Sequence, residues 1–443
     1  MAKRRRTVPA GSVQRQDSGN GTVDLLLRDV RLLGHAGRHD VAIKGDRIFK
    51  IGKALSLKGR RVIEGSGNLL TPGLIDAHNH LDKGMLTDDC NVRIENLAKM
   101  IEIMRRLKRK ETVQSTYDRI LKGAKEGVVR GATAMRTNVE ADPFFKFKAV
   151  DAALEAQEDL RPVLDLQTIA FPQDGWFKTN GTIEAGCEPY IEEAVRRGID
   201  LVGGNVNGAL WPSDPREQVD RLFALAKKYD RGIDAHVDNS DNPAAFTLPY
   251  IAQKTIAEDF EGRVTVGHIA SLATVPDDVA ARTIALMKRA RLHVGVQPTR
   301  ITVTRVKQLL DSGVNVFVGT DEVMGIYTRI GVADVLMAMW LLSLVAHLCS
   351  NEDYEDIFKM GTYNAAEAMG LTHYGLYQGA FADLVLFAGD TPTDVICYQR
   401  ARRAVIKHGR VVAENGQLVR HGFVHEDIKD EPVGKKRRVD DRQ

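Results

Sequence analysis

Residues 73–80 read GLIDAHNH: a short apolar, β-branched run that closes on two histidines one residue apart. The spacing of this segment and its successors decides the fold. Seven more segments of the same kind follow in order: ATAMRTN (132–138), VLDLQTIAF (163–171), DLVGGN (200–205), GIDAHV (232–237), RVTVGH (263–268), LHVGVQ (292–297) and NVFVGTD (315–321). Helix-like stretches lie between most of them, among them VQSTYDRILKGAKEGVVR, EPYIEEAVRRG and REQVDRLFALAKKYD. Strand–helix alternation at this spacing is the mark of parallel βα units, and eight of them make a (β/α)8 TIM barrel within an α/β fold.

Polar residues recur at the ends of these segments. His78 and His80 close the first, Gln167 lies in the third, His236 in the fifth, His268 ends the sixth and Asp321 the eighth. In a barrel those ends meet on one rim, the face that carries active sites. Alternate strand residues share a face, so both imidazoles of His78-Asn79-His80 reach one site. A lone His-x-His pair is a weak signal. With His236 and Asp321 it becomes three nitrogens and one oxygen, a set that suits one Zn²⁺ or Fe²⁺ and leaves a coordination position for water. A divalent ion brings the ionisation of water near neutrality. Asp321 is then the group to take the proton, and His268 the group to hold the nucleophile or polarise the acceptor atom.

Working outward, residues 23–72 are short strands with glycine punctuation (VDLLLRDVRLLG, HDVAIKGDRIFKIG, RRVIEG), and the pattern returns in ADLVLFAGD, RAVIKHG and RVVAENG near the other end. These arms predict a small β-sandwich built from residues 23–72 and 372–425, flanking a barrel over 73–371. Residues 1–22 and 426–443 are charged, carry Lys3–Arg6 and Lys435–Arg438, and read as disordered tails.

The 443 residues carry a net charge of only +3, with 43% hydrophobic and 27% charged residues, which gives no case for a nucleic-acid groove. The four cysteines form no CxxC pair, and no secretory signal opens the chain, so a cytoplasmic location is expected. The run Val335–Cys349 is too short to span a bilayer comfortably and contains His347; it reads as a buried helix rather than a membrane segment.

PGLIDAHNHLDK, MRTNVEAD, DLQTIAFPQDG, KKYDRGIDAHVDNSDNP, RVTVGHIA and FVGTDEV, with the closing ADLVLF and VIKHGRVV, resemble the amidohydrolase superfamily, in particular its cytosine deaminase-like branch. The resemblance covers about residues 23–420. It implies a barrel with a β-sandwich, one metal ion on His78, His80, His236 and Asp321, a substrate ring bonded by Gln167, and assistance from His268. Two-metal members carry a lysine at the end of the fourth strand, where this chain has LVGGN. The branch carries a proton-shuttling glutamate three residues after the fifth-strand histidine; here that residue is Asn239, whose amide cannot donate and recover a proton at neutral pH. Asp238, Glu322 and Lys83 are the replacements within reach. DLVGG, IAQKTI, GRVT and HxHxDK also resemble the N-isopropylammelide isopropylamidohydrolases, which lack the same glutamate.

Phe171, Trp176 and Trp211 follow the third and fourth strands as possible ring-stacking walls, with Met324, Tyr327 and Arg329 after the eighth. The expected function is metal-dependent hydrolysis of a C–N bond in a nitrogen heterocycle or cyclic amide. The partner is then a small-molecule substrate, with a homo-oligomer as an open possibility. The alternative is an inactive or regulatory homologue that binds a ligand or partner.

Overall fold

The computed structural model describes residues 21–86, 97–177, 186–207, 215–299, 302–326 and 331–419. Residues 1–20 of the first tail, the whole of the second, Trp211, Tyr327 and Arg329 lie outside the described residues, whereas Thr22, expected in the tail, opens a strand.

All eight segments are strands: Leu74–His80, Ala132–Glu140, Asp165–Phe171, Leu201–Val206, Ile233–Val237, Val264–His268, His293–Val296 and Asn315–Val318, the last followed by Asp321–Glu322. Each is parallel to its sequence neighbour, in one nine-stranded ladder with unbroken order. Asn315–Val318 ends the ladder beside His293–Val296, whereas Asp321–Glu322 ends it beside the first strand, with Asp321 opposite Asn79 and Glu322 opposite His80. Both edges therefore belong to one segment, 315–322. The Thr320 backbone and hydroxyl, in the step between the two pieces, donate to the Asp76 carboxylate at 3.0 and 2.6 Å.

These strands are buried almost from end to end, because helices cover the outer face and side chains fill the inner one. Among the covering helices are the three expected, Val113–Val129, Glu188–Arg197 and Pro215–Lys228. The first opens on a reciprocal cap between Thr112 and Ser115, which satisfies amides that a helix start leaves unpaired.

A second, mixed sheet joins the two arms of the chain. Its order runs Gln417–Leu418, Arg410–Glu414, Arg402–Lys407, Leu384–Phe387, Leu69–Pro72, Thr22–Leu32, Arg38–Lys44, Arg47–Gly52, with Lys58–Glu64 pairing parallel to Thr22–Leu32. The arms meet where Leu384–Phe387 runs antiparallel to Leu69–Pro72.

The apolar run differs from expectation. The helix covers only Val335–Val345 and leaves Trp340, Leu344 and Val345 38%, 53% and 44% exposed, so one face is buried rather than all of it. No described helix is long and apolar enough to cross a membrane.

Candidate active site

His78 and His80 end the first parallel strand, His236 lies one residue before the end of the fifth, and Asp321 opens the strand piece paired with the first. One donor atom from each gathers within 4.8 Å of the others, and all four residues are buried. His80 Nε2 faces His236 Nε2 at 3.1 Å, and Asp321 Oδ1 lies 3.4 Å from His80 Nε2 and 3.8 Å from His78 Nε2.

Burial, with Lys83 nearby, holds the His80 imidazole down at about 3, and burial among His268, His78 and His80 holds His236 well below its ordinary value. Both rings are thus neutral at working pH, the form that coordinates a cation. Two neutral imidazole nitrogens at hydrogen-bond distance beside a buried carboxylate fit a shared divalent ion.

Two glycines make room for His78. A Cβ on Gly319 would come within 2.7 Å of both Cβ and O of His78, and one on Gly267 within 2.9 Å of its Cε1. Backbone strain collects at the same strand ends: His268, Ile269 and Asp321 have φ of 69°, 44° and 64°, with Asp238 at 48° and Met324 at 51°. His268 ends the sixth strand with its ring 4.6 Å from that of His236 and 5.2 Å from that of His78, and its amide donates to Gln297 Oε1 at 3.0 Å. Phe171 lies against His236 and His80, with ring centroids 4.3 and 5.3 Å away.

The other expected residues divide. Lys83 is buried beside the site, 5.6 Å over the Phe171 ring, with Nζ 2.5 Å from Gln173 Oε1, 3.0 Å from Glu140 Oε1 and 3.6 Å from Glu322 Oε1. Asp238 is turned onto backbone: its carboxylate accepts from Thr247 N at 2.8 Å and Leu248 N at 2.9 Å, capping the helix Leu248–Ala257, while burial pushes it up to about 7. Asn239 is half-buried, and its carbonyl accepts from Asn207 Nδ2. Gln167 sits early in its strand, where its Oε1 accepts from Arg136 Nε at 2.7 Å; Arg136 also binds Asp234, two residues before His236. Trp176 is packed in the main apolar core.

Sequence reasoning passed over Gln173, Glu140 and Lys108. Gln173 and Glu140 stood in quoted motifs with nothing to mark them as inward-facing. Lys108 left a trace, since it lies four residues after the buried Met104 on one helix face.

The amidohydrolase family profile matches residues 69–414. The chain belongs to the amidohydrolase family. It is 31% identical over 409 residues to the N-isopropylammelide isopropyl amidohydrolase of Pseudomonas sp. strain ADP, covering 89% of this chain and 98% of that protein. The crystal structure of N-isopropylammelide isopropylaminohydrolase from Burkholderia multivorans superposes with a TM-score of 0.81 at 29% identity, covering 90% of this chain and 100% of that one. 5-Methylcytosine deaminase from Klebsiella pneumoniae, liganded with 5-fluorocytosine, shares the fold at a TM-score of 0.81 and 23% identity over 88% of this chain and 97% of that one. Family and site together make this chain a metal-dependent hydrolase of C–N bonds.

Proposed function

We propose that this amidohydrolase replaces an amino or alkylamino group on an sp² carbon of a nitrogen heterocycle or cyclic amide with oxygen from water, releasing ammonia or an amine. The convergence of three imidazoles and Asp321 beside a buried lysine carries this reading. The relatives named for N-isopropylammelide and 5-methylcytosine support a flat ring. The ladder whose two edges belong to one segment supports a closed (β/α)8 barrel over 73–371. The mixed sheet that joins the two arms supports reading 23–72 and 372–425 as one β-sandwich unit.

His78, His80, His236 and Asp321 would hold one ion, Zn²⁺ or Fe²⁺. When bound, it supplies Lewis acidity and eases the ionisation of water. Asp321 takes the proton of the attacking water and returns it to the departing nitrogen, so the step balances as water in and amine out. His268 steadies the water or the developing oxygen.

Lys83 takes the acid role that Asn239 cannot fill: it lends a proton to the ring nitrogen as water adds, and recovers one from the added hydroxyl as the amine departs and the C–O double bond forms. Its ammonium stands over the Phe171 ring that touches His80 and His236, whereas both oxygens of Asp238 are occupied by backbone amides. Glu322 serves as a counter-charge to Lys83, and Asn239 as a hydrogen-bonding partner of the ring. We assign the ring-facing amide to Gln173, which bonds Lys83 beside the Phe171 ring, rather than to Gln167, which sits early in its strand and bonds Arg136. Phe171 stacks on the substrate.

Purified protein should hold close to one equivalent of Zn or Fe, and His236→Ala should lose it. Amine or ammonia release from N-isopropylammelide, cytosine, isocytosine, pterins and cyclic amides identifies the ring. Wild type that binds no metal and turns over none of these would instead support a ligand-binding homologue.

A further inference from the structure

Glu140 ends the second parallel strand, and its two carboxylate oxygens meet two different lysines. Oε1 lies 3.0 Å from Lys83 Nζ and Oε2 lies 2.5 Å from Lys108 Nζ. Lys108 stands in the last turn of the helix Leu97–Lys110 and is 1% exposed. Its ammonium also contacts Asp142 and Asp174, each at 2.7 Å. Arg105, one turn earlier, binds the other oxygen of Asp174 at 2.6 Å. Lys148 ties down the same helix end, donating to the carbonyls of Lys108 at 2.6 Å and Glu111 at 2.7 Å.

One buried ammonium thus cross-links the segments that follow the first, second and third parallel strands. Unpaired charges are costly in such a place, so each carboxylate must have its cation. With Lys108 present, Glu140 gives only one oxygen to Lys83, and the Lys83 head remains shared with Gln173 and Glu322 at the metal-site end. Without Lys108, Glu140 and Asp142 would lose an ammonium at 2.5 and 2.7 Å while Asp174 keeps Arg105, and Glu140 would draw the Lys83 head toward itself and away from the ring of Phe171.

We infer that Lys108 is a positioning residue for Lys83, acting through Glu140, so that the helix Leu97–Lys110 is a working part of the active site. This rests on the reading of Lys83 as the acid.

The test uses full-length, metal-loaded protein and whichever of N-isopropylammelide, cytosine and pterin it turns over, with Lys83→Met, Lys108→Met, Lys108→Arg, Glu140→Gln and the Lys108→Met/Glu140→Gln double variant. Lys108→Met should lower kcat at least 10-fold with metal content unchanged and KM altered less than threefold. Lys108→Arg should recover part of the loss. Glu140→Gln should lower kcat similarly, and the double variant should be no worse than the poorer single one, because residues acting in series are not additive. Wild-type kcat in Lys108→Met, or losses that multiply in the double variant, would overturn the inference. If Lys108→Met does not accumulate as folded protein, Glu140→Gln alone decides: wild-type kcat there overturns it. Lys83→Met separates the two levels. Wild-type turnover in that variant sinks the acid role itself, whereas an impaired Lys83→Met beside a normal Lys108→Met sinks only the part played by Lys108.

Discussion

His78 fits because Gly267 and Gly319 lack side chains, and this sets the tolerance of the proposed metal ligands at the level of single atoms. The neighbours of a Cβ at Gly319 include the His78 backbone, which cannot swing aside as a side-chain tip could. Gly319→Ala should therefore push the first strand out of register with the site. Roughly 2 kcal/mol of stability is the expected cost of such overpacking. Metal retention should fall by about 10-fold or more, as when the support of a ligand is disturbed. Metal content after dialysis against a graded chelator, read beside Tm, checks this; unchanged retention would mean that the strand yields freely. The four residues proposed as ligands were legible in the sequence because each stands at the end of a β-branched run. The glycines that admit them were not, since Gly267 and Gly319 lie 189 and 241 residues from His78 along the chain and meet it only in the folded molecule.

At the level of the element, the helix Val335–Val345 depends on the residue before it. Asp334 accepts from the amides of Leu336 and Met337 at 3.0 and 3.4 Å, and the same carboxylate binds the buried guanidinium of Arg402. Asp334→Ala removes the cap and leaves Arg402 without its nearest counter-charge, so a loss of about 2–3 kcal/mol is expected. Asp334→Asn, which keeps an accepting oxygen, should lose less. Urea unfolding midpoints at constant m-value distinguish the two; equal losses would show that the cap contributes nothing. The sequence marked this run as a buried helix rather than a membrane segment through its length and His347. Its exposed side was not legible, because an apolar stripe reads alike whether a neighbour covers it or not.

Across the whole molecule, Lys407 joins the two sheets. It is fully buried, comes from the mixed sheet, and binds Asp383 at 2.7 Å and Asp165 at 2.6 Å, the latter being the first residue of the third parallel strand. Lys407→Met should cost roughly 3 kcal/mol, chiefly through the uncompensated Asp383, since Asp165 is half-exposed and can turn to water. Calorimetry should show one transition at lower temperature. Two separated transitions would mean that this lysine alone couples the sheets, and an unchanged Tm would mean that it couples nothing. The pairing of the two arms was readable from strand patterns at both ends of the chain, but the lysine between the sheets looked like any other strand-end charge.

The sequence by itself determined the eight parallel strands, the two-arm sheet and the convergence of His78, His80, His236 and Asp321. These follow from local periodicity and from which residue stands at a strand end. Only the tertiary structure decided that Asp238 caps a helix, that Gln167 is held by Arg136, and that Lys83, Glu140 and Lys108 form one buried chain of charges beside the site. A charged side chain in a sequence is silent about its surroundings. Whether it faces water or a partner depends on segments far away in the chain, and in a buried setting that difference sets both its energy and its chemistry.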